Sequence, residues 1–332
     1  MKSAIFSLFE NWEDDYQKAI TDQIEMVCYA EELGFDEAWL TEHHFNNFSV
    51  TPSPLSVANY LLGKTKKIKI GTAGILLPYY NPIKLAEEIA TIKAYDEDRF
   101  LYGIAKGAFA IYDKTFNVNA LSNRELMFEV NELIHRLLLE ERVTFKGKFF
   151  SCEDISIRPK VKKPITTFIA SESLEALEKC AKEDFSLIGS LALSKENIRD
   201  IFKTFDSFNS QKELSFRVAR GINIGFDKKE IEKETKKSAE IFLKSMLLSK
   251  DTNPTLVKLL TKEYLEIREN LFDKNRILQN AIYGTPKECV EQIKELKSEF
   301  NIEALLLKPL VSSEKRAKEV LDLYINEVKP YV

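Results

Sequence analysis

Short apolar runs of strand length alternate with helical stretches along nearly the whole of this chain, and that rhythm constrains the fold more than any other feature. Runs over 3–7, 37–41, 68–72, 100–104, 167–170, 185–188, 217–224 and 304–308 read as strands. Between them the pattern predicts helices over 14–33, stopped by Gly34, and over 82–95, opened by Pro82. Another runs over 121–139, where Leu126, Val130, Leu133 and Leu137 share one face, and others over 174–182, 195–205 and 313–327. Eight strands alternating with helices predict an α/β protein, a closed parallel (β/α)8 TIM barrel. Two segments break the rhythm. Residues 143–150 and 155–159 alternate around Lys146-Gly147, which predicts a hairpin insertion. Residues 228–278 are charged, helical and too long for one barrel helix, which predicts a long helical insertion after strand seven. With no repeat, low-complexity tract or linker, residues 1–332 read as a single barrel domain.

Composition excludes several classes of partner. The formal charge is −4 and the pI about 5.7, so nothing draws the chain electrostatically to nucleic acid or an anionic membrane. The Lys-rich stretches at 64–69 and 160–163 read as solvated strand ends. Cys28, Cys152, Cys180 and Cys289 are scattered, as expected of reduced thiols in a cytoplasmic protein. The N-terminal apolar run is short and followed by Glu10, Glu13, Asp14 and Asp15, unlike a signal peptide, and no run reaches membrane-spanning length.

In a barrel of this kind chemistry sits where strands end, which shortens the search. Two of the three histidines, His43 and His44, are adjacent just past the second strand, where an imidazole can act as acid, base or hydrogen-bond donor, and Glu42 can orient one ring. His135, within a helix among Ile134 and Leu137, reads as structural. No H-E-x-x-H, G-x-S-x-G, G-x-G-x-x-G or Walker sequence occurs, so neither a zinc site nor a serine nucleophile nor a dinucleotide loop is expected. The rim does offer a place for a phosphate. Lys106 stands beside Gly107 after strand four, and Arg124 opens a helix behind Ser122-Asn123. After strand five, Ala170-Ser171-Glu172-Ser173 runs into a helix whose backbone N–H groups can hold an anion. Gly71-Thr72-Ala73-Gly74 after strand three is small enough for a flat ligand or another backbone to approach.

Together these segments resemble the luciferase-like flavin-dependent monooxygenases, most closely their luciferase α-type subunits. The resemblance runs through Gly34-Phe35-Asp36, Trp39-Leu40-Thr41-Glu42-His43-His44-Phe45, Ile70-Gly71-Thr72-Ala73, Leu77-Pro78, Asn81-Pro82, Arg99-Phe100, Gly103 to Gly107 and Tyr112-Asp113-Lys114. It continues through Ala170 to Ser173, Tyr283-Gly284-Thr285-Pro286 and Val328-Lys329-Pro330-Tyr331. It implies FMN, supplied reduced by a separate flavin reductase, with O2 and a small organic molecule as the other substrates, and a homodimer. His43 then matches the catalytic histidine that assists formation and use of the flavin 4a-hydroperoxide, and His44 its support. Ala73-Gly74 matches the peptide, often cis in the family, that lies against the flavin ring. Lys106, Arg124, Glu172 and Ser173 match the groups around the flavin phosphate, Lys106 standing where luciferases carry Arg. The segment 228–278 matches one that includes the family's mobile lid.

Departures fall on the substrate side. Ala105 stands in place of a reactive cysteine, residues 108–111 include an insertion, and Thr115 replaces an aspartate, so aldehyde oxidation and light emission do not follow. Two rival readings remain at this stage: a deazaflavin-dependent reductase or dehydrogenase on the same barrel, and a non-catalytic flavin-binding homologue.

Overall fold

The computed structural model describes residues 1–11, 13–46, 49–245, 274–311 and 313–332. Its strands are β1 (Lys2–Ser7), β2 (Glu37–Leu40), β3 (Lys69–Thr72), β4 (Ile75–Leu76), β5 (Phe100–Ala105), β6 (Val143–Lys146), β7 (Ser151–Ile155), β8 (Thr167–Ile169), β9 (Phe185–Gly189), β10 (Phe216–Ile224), β11 (Ile282–Gly284) and β12 (Ala304–Pro309). Eight of them pair in parallel in the order β1-β2-β3-β5-β8-β9-β10-β12, and β12 returns to β1, so the barrel closes as expected. Of the remaining four, β4 and β11 extend the wall beside β5 and β10, while β6 and β7 form the separate antiparallel hairpin.

The hairpin differs from expectation in register. Its turn is closed by the Gly147 N–H donating to the Phe150 carbonyl, and its second strand is Ser151–Ile155, so residues 156–159 lie beyond it. Glu129 explains this register: its carboxylate accepts from the N–H groups of Lys148, Phe149 and Phe150 and holds the turn against the helix Asn123–Leu139. Within 228–278, helices cover Lys228–Ser245 and Lys274–Asn280, and the expected continuation over 246–273 lies outside the described residues. Among the described residues three helices are not anticipated from the sequence: the short Ala110–Thr115 and two longer ones, Pro54–Lys64 and Pro286–Glu299. The last opens on a capping box in which Thr285 and Glu288 bond reciprocally, with Pro286 in the first turn, where its missing N–H costs nothing.

Alternation along each strand divides the apolar side chains into two bodies. Ile5, Leu40, Ile70, Ile104, Leu187 and Val218 join the layer between strands and helices, while Ala4, Trp39, Phe168, Ile188, Ala219 and Leu306 fill the barrel interior. At the N-terminal end of the interior Arg217 makes paired bonds of 2.9 and 2.9 Å to Glu37, lies 4.6 Å from the Phe168 ring centre and also binds Glu303. Trp39 packs over β3, where a side chain at Gly71 would bring its Cβ within 2.5 Å of the indole. Toward the other end the inward residues become small: Ala73, Ala105, Ala170 and Gly221.

A charged side chain is also buried at that end. Lys308, on the inner face of β12, donates to Glu10 at 2.7 Å with both side chains buried, and its ammonium lies 5.7 Å from the ring centre of Phe242 in the helix Lys228–Ser245. Burial pushes the Glu10 carboxyl above its usual range despite the lysine. Removing the cation leaves a buried carboxylate unmatched. We expect Lys308→Met to lower unfolding stability at pH 8 by about 3 kcal/mol or more. The loss should be smaller at pH 5, where Glu10 can take up a proton, and denaturant unfolding at the two pH values measures both.

Candidate active site

The small inner residues leave a cavity of about 410 Å³ at the C-terminal end of the strands, within the size range of small-molecule sites. Every site residue expected from sequence lines it except one: His43, Ala73, Gly74, Lys106, Arg124, Ala170, Ser171, Glu172 and Ser173 all face the cavity, and His44 does not. Thr41, Glu42, Leu76, Phe109, Tyr112 and Ser190 complete most of the wall.

The two histidines part because the chain turns sharply between them and the next helix, with Phe45 at φ 54°. His43 is held from behind by its own N–H, which donates to the Thr51 carbonyl at 3.0 Å. Residues 49 and 50 are in turn fastened to the loop after β1, through the Glu10–Ser49 bridge and the Val50 N–H to the Phe9 carbonyl. The buried Glu10–Lys308 pair therefore anchors the strand-one loop on which the histidine loop rests. His44 turns into an aromatic nest, its ring centre 5.0 Å from Phe116 and 5.4 Å from Tyr112, and its Nε2 is 2.9 Å from Glu42 Oε1. The other Glu42 oxygen accepts from the Leu76 N–H and the Tyr80 hydroxyl. Glu42 does orient a ring, and that ring is His44. Burial pushes the Glu42 carboxyl up, while these hydrogen bonds pull against that shift.

Next along the wall is the end of β3, which pairs with β2, and there the Ala73–Gly74 peptide is cis. Gly74 packs so closely on β5 that a Cβ there would sit 2.4 Å from the Ile104 backbone. Lys106 and Arg124 supply positive charge from the loop after β5 and from the start of the helix Asn123–Leu139. Ser122 does not cap that helix as expected: its hydroxyl donates to the Asn119 carbonyl, while buried Asn123 donates to Asp113. Ser173, by contrast, caps the helix Leu174–Lys182 by accepting from the Ala176 N–H, and it also accepts from the Ser171 hydroxyl. With its oxygen so engaged, its own proton is free to be donated to an anion at the helix N-terminus.

Among the described residues, three buried side-chain atoms of the cavity lining have no hydrogen-bond partner: His43 Nδ1, Arg124 Nε and Ser190 Oγ. Such atoms are rare and cost free energy unless a ligand or water satisfies them. They come from loops after three different strands and converge on one space. Ser190 is the residue that sequence reading missed. A single serine past a strand carries no motif, and the only hint was its place at the end of β9, on the rim where function collects.

The family model for luciferase-like monooxygenases matches residues 1–300. The chain belongs to the luciferase-like monooxygenase family. It is 28% identical over 179 residues to the alkanal monooxygenase alpha chain of the Kryptophanaron alfredi symbiont, a match covering 52% of this chain and only 49% of that relative. The chain thus spans about half the length of that relative. A second alkanal monooxygenase alpha chain, from Photobacterium leiognathi, is 25% identical over 96% of this chain and 95% of its own length. Among solved structures, the monooxygenase RslO1 from Streptomyces bottropensis superposes with a TM-score of 0.83 at 15% identity, covering 99% of each chain, a likeness of fold.

Burial, and secondarily the neighbouring His44, lowers the His43 pKa from 6.5 to about 4. The unfolded chain therefore takes up a proton between about pH 6.5 and 4 that the folded chain refuses, so this contribution to stability is lost as pH falls through that window. His43→Asn lacks the effect. The stability advantage of the native protein over this variant should shrink from pH 7 to pH 5 in thermal unfolding, and parallel curves would contradict the assignment.

Proposed function

We propose that this protein is a two-component flavin-dependent monooxygenase that binds FMN already reduced by a separate flavin reductase and, with O2, oxygenates a small organic substrate. The observation that carries the reading is the convergence of unpaired His43 Nδ1, Arg124 Nε and Ser190 Oγ on a cavity that also holds Lys106 and a helix N-terminus. This donor set suits a planar molecule with a phosphate tail. Reduced FMN, when bound, supplies the electrons that activate oxygen.

The chain's own residues divide the remaining work. Lys106, Arg124, Ser173 and the N–H groups opening the helix Leu174–Lys182 hold the phosphate. Lysine gives up the paired bonds an arginine would make, so its hold on the phosphate is that of a point charge. Ala73, Gly74 and Ala170 let a flat ring lie against the barrel mouth, and Ser171 and Glu172 border it. Phe109 and Tyr112 exclude water from the His43 side. His43 is neutral at pH 7, and a base with a pKa near 4 is a poor store for a proton. Its role is to donate from one ring nitrogen and accept at the other beside the reacting oxygen. His44, fixed by Glu42 and its aromatic neighbours, supports the turn that aims His43. A homodimer acting in the cytoplasm completes the proposal. Consistent with that location, no helix among the described residues is long and apolar enough to cross a membrane.

Anaerobic titration with reduced FMN, then mixing with O2 and a reductase system, tests the reading. Binding and substrate-dependent oxygen uptake are expected. Preferential binding of a deazaflavin, or binding without turnover, would instead support one of the two rivals. His43→Ala should keep reduced-FMN affinity within a few-fold and lose roughly 10²-fold or more in turnover. Lys106→Ala should weaken FMN roughly tenfold or more and leave riboflavin, which lacks the phosphate, nearly unchanged.

A further inference from the structure

We infer that Ser190 is a flavin-positioning residue whose hydroxyl hydrogen-bonds the polar edge of the isoalloxazine ring; the inference rests on the flavin reading above. Ser190 follows β9 and lines the cavity, two residues beyond Ile188 of the barrel interior. Like Lys106, Arg124 and Ser173, it reaches the cavity from a segment that follows a strand, in its case β9. With a phosphate held at Lys106, Arg124 and Ser173, the unpartnered Ser190 hydroxyl is left to meet the ring.

The hydroxyl is also well placed to act. Its backbone is fastened on both sides: the Ser190 N–H donates to Glu172 Oε1 at 3.4 Å, and the Leu193 N–H donates to the Ser190 carbonyl at 3.3 Å. The Oγ itself is buried and has no hydrogen-bond partner among the described residues. A buried, unpartnered hydroxyl is unfavourable in the ligand-free protein and favourable once a ring nitrogen or carbonyl meets it. The sign of its effect on stability should therefore reverse on binding.

The test compares native protein, Ser190→Ala and Ser190→Thr, using anaerobic titration with reduced FMN and with reduced lumiflavin, which has the ring but neither ribityl chain nor phosphate. Thermal unfolding is recorded with and without FMN. We expect Ser190→Ala to weaken both ligands by about 3- to 10-fold. The same variant should shift the visible absorption of bound oxidised flavin, unfold no earlier than native protein without ligand, and gain less from FMN. Ser190→Thr, which keeps the hydroxyl, should restore affinity. Unchanged affinity in Ser190→Ala would overturn the inference, as would an unliganded Ser190→Ala clearly less stable than native protein. Loss of FMN affinity with lumiflavin unaffected would move the bond from the ring to the ribityl chain and overturn it as stated. Failure of the native protein to bind either flavin would instead sink the flavin reading itself.

Discussion

The structure depends on how the interior of a closed eight-strand barrel is filled. At the N-terminal end Arg217, Glu37, Trp39 and Phe168 occupy the space with bulk and matched charge. Toward the C-terminal end alanine and glycine take the inward positions, and the interior runs out of material before the strands end. A protein interior left underpacked loses contact energy, so a gradient of this kind is retained where something else is to be bound. The cavity opens where the strands end, and most of its wall comes from the segments that follow them.

Those segments are held firmly. Glu10 and Lys308 form a buried ion pair inside the barrel mouth, and from Glu10 a series of backbone bonds leads through residues 49–51 to the N–H of His43. Glu42 in turn gathers His44, Tyr80 and the Leu76 N–H around one carboxylate. Two acidic side chains thus fix the loops after the first three strands. Each is buried with its partners in place, the condition under which an ionised group specifies geometry instead of merely costing stability.

How much of this was legible in the sequence depended on whether the signal was local. Strand and helix alternation is local, and so is the rule that rim positions follow strand ends; of the ten site residues expected from sequence, nine line the cavity. The helices Pro54–Lys64 and Pro286–Glu299 also carried readable signals, Ser53-Pro54 before Leu55, Ala58, Leu61 and Leu62 in one case and Thr285 with Glu288 in the other. The orientation of His44 was not readable, because it is set by a left-handed turn at Phe45 and by rings contributed from elsewhere in the chain. Ser190 was missed for a related reason: an unpaired hydroxyl is defined by what does not surround it, and that is a property of the assembled barrel.

By itself, then, the sequence determined the barrel, the end of it that carries function, and the positively charged and helix-terminal groups suited to a phosphate. These follow from periodicity, capping and strand ends, each encoded within a few consecutive residues. Only tertiary structure decided that His43 faces the cavity while His44 buttresses it, that Lys308 meets Glu10, and that His43, Arg124 and Ser190 keep atoms free toward one space. Those outcomes depend on which side chains from distant strands share an enclosed volume, where excluded water makes each unmatched polar atom count.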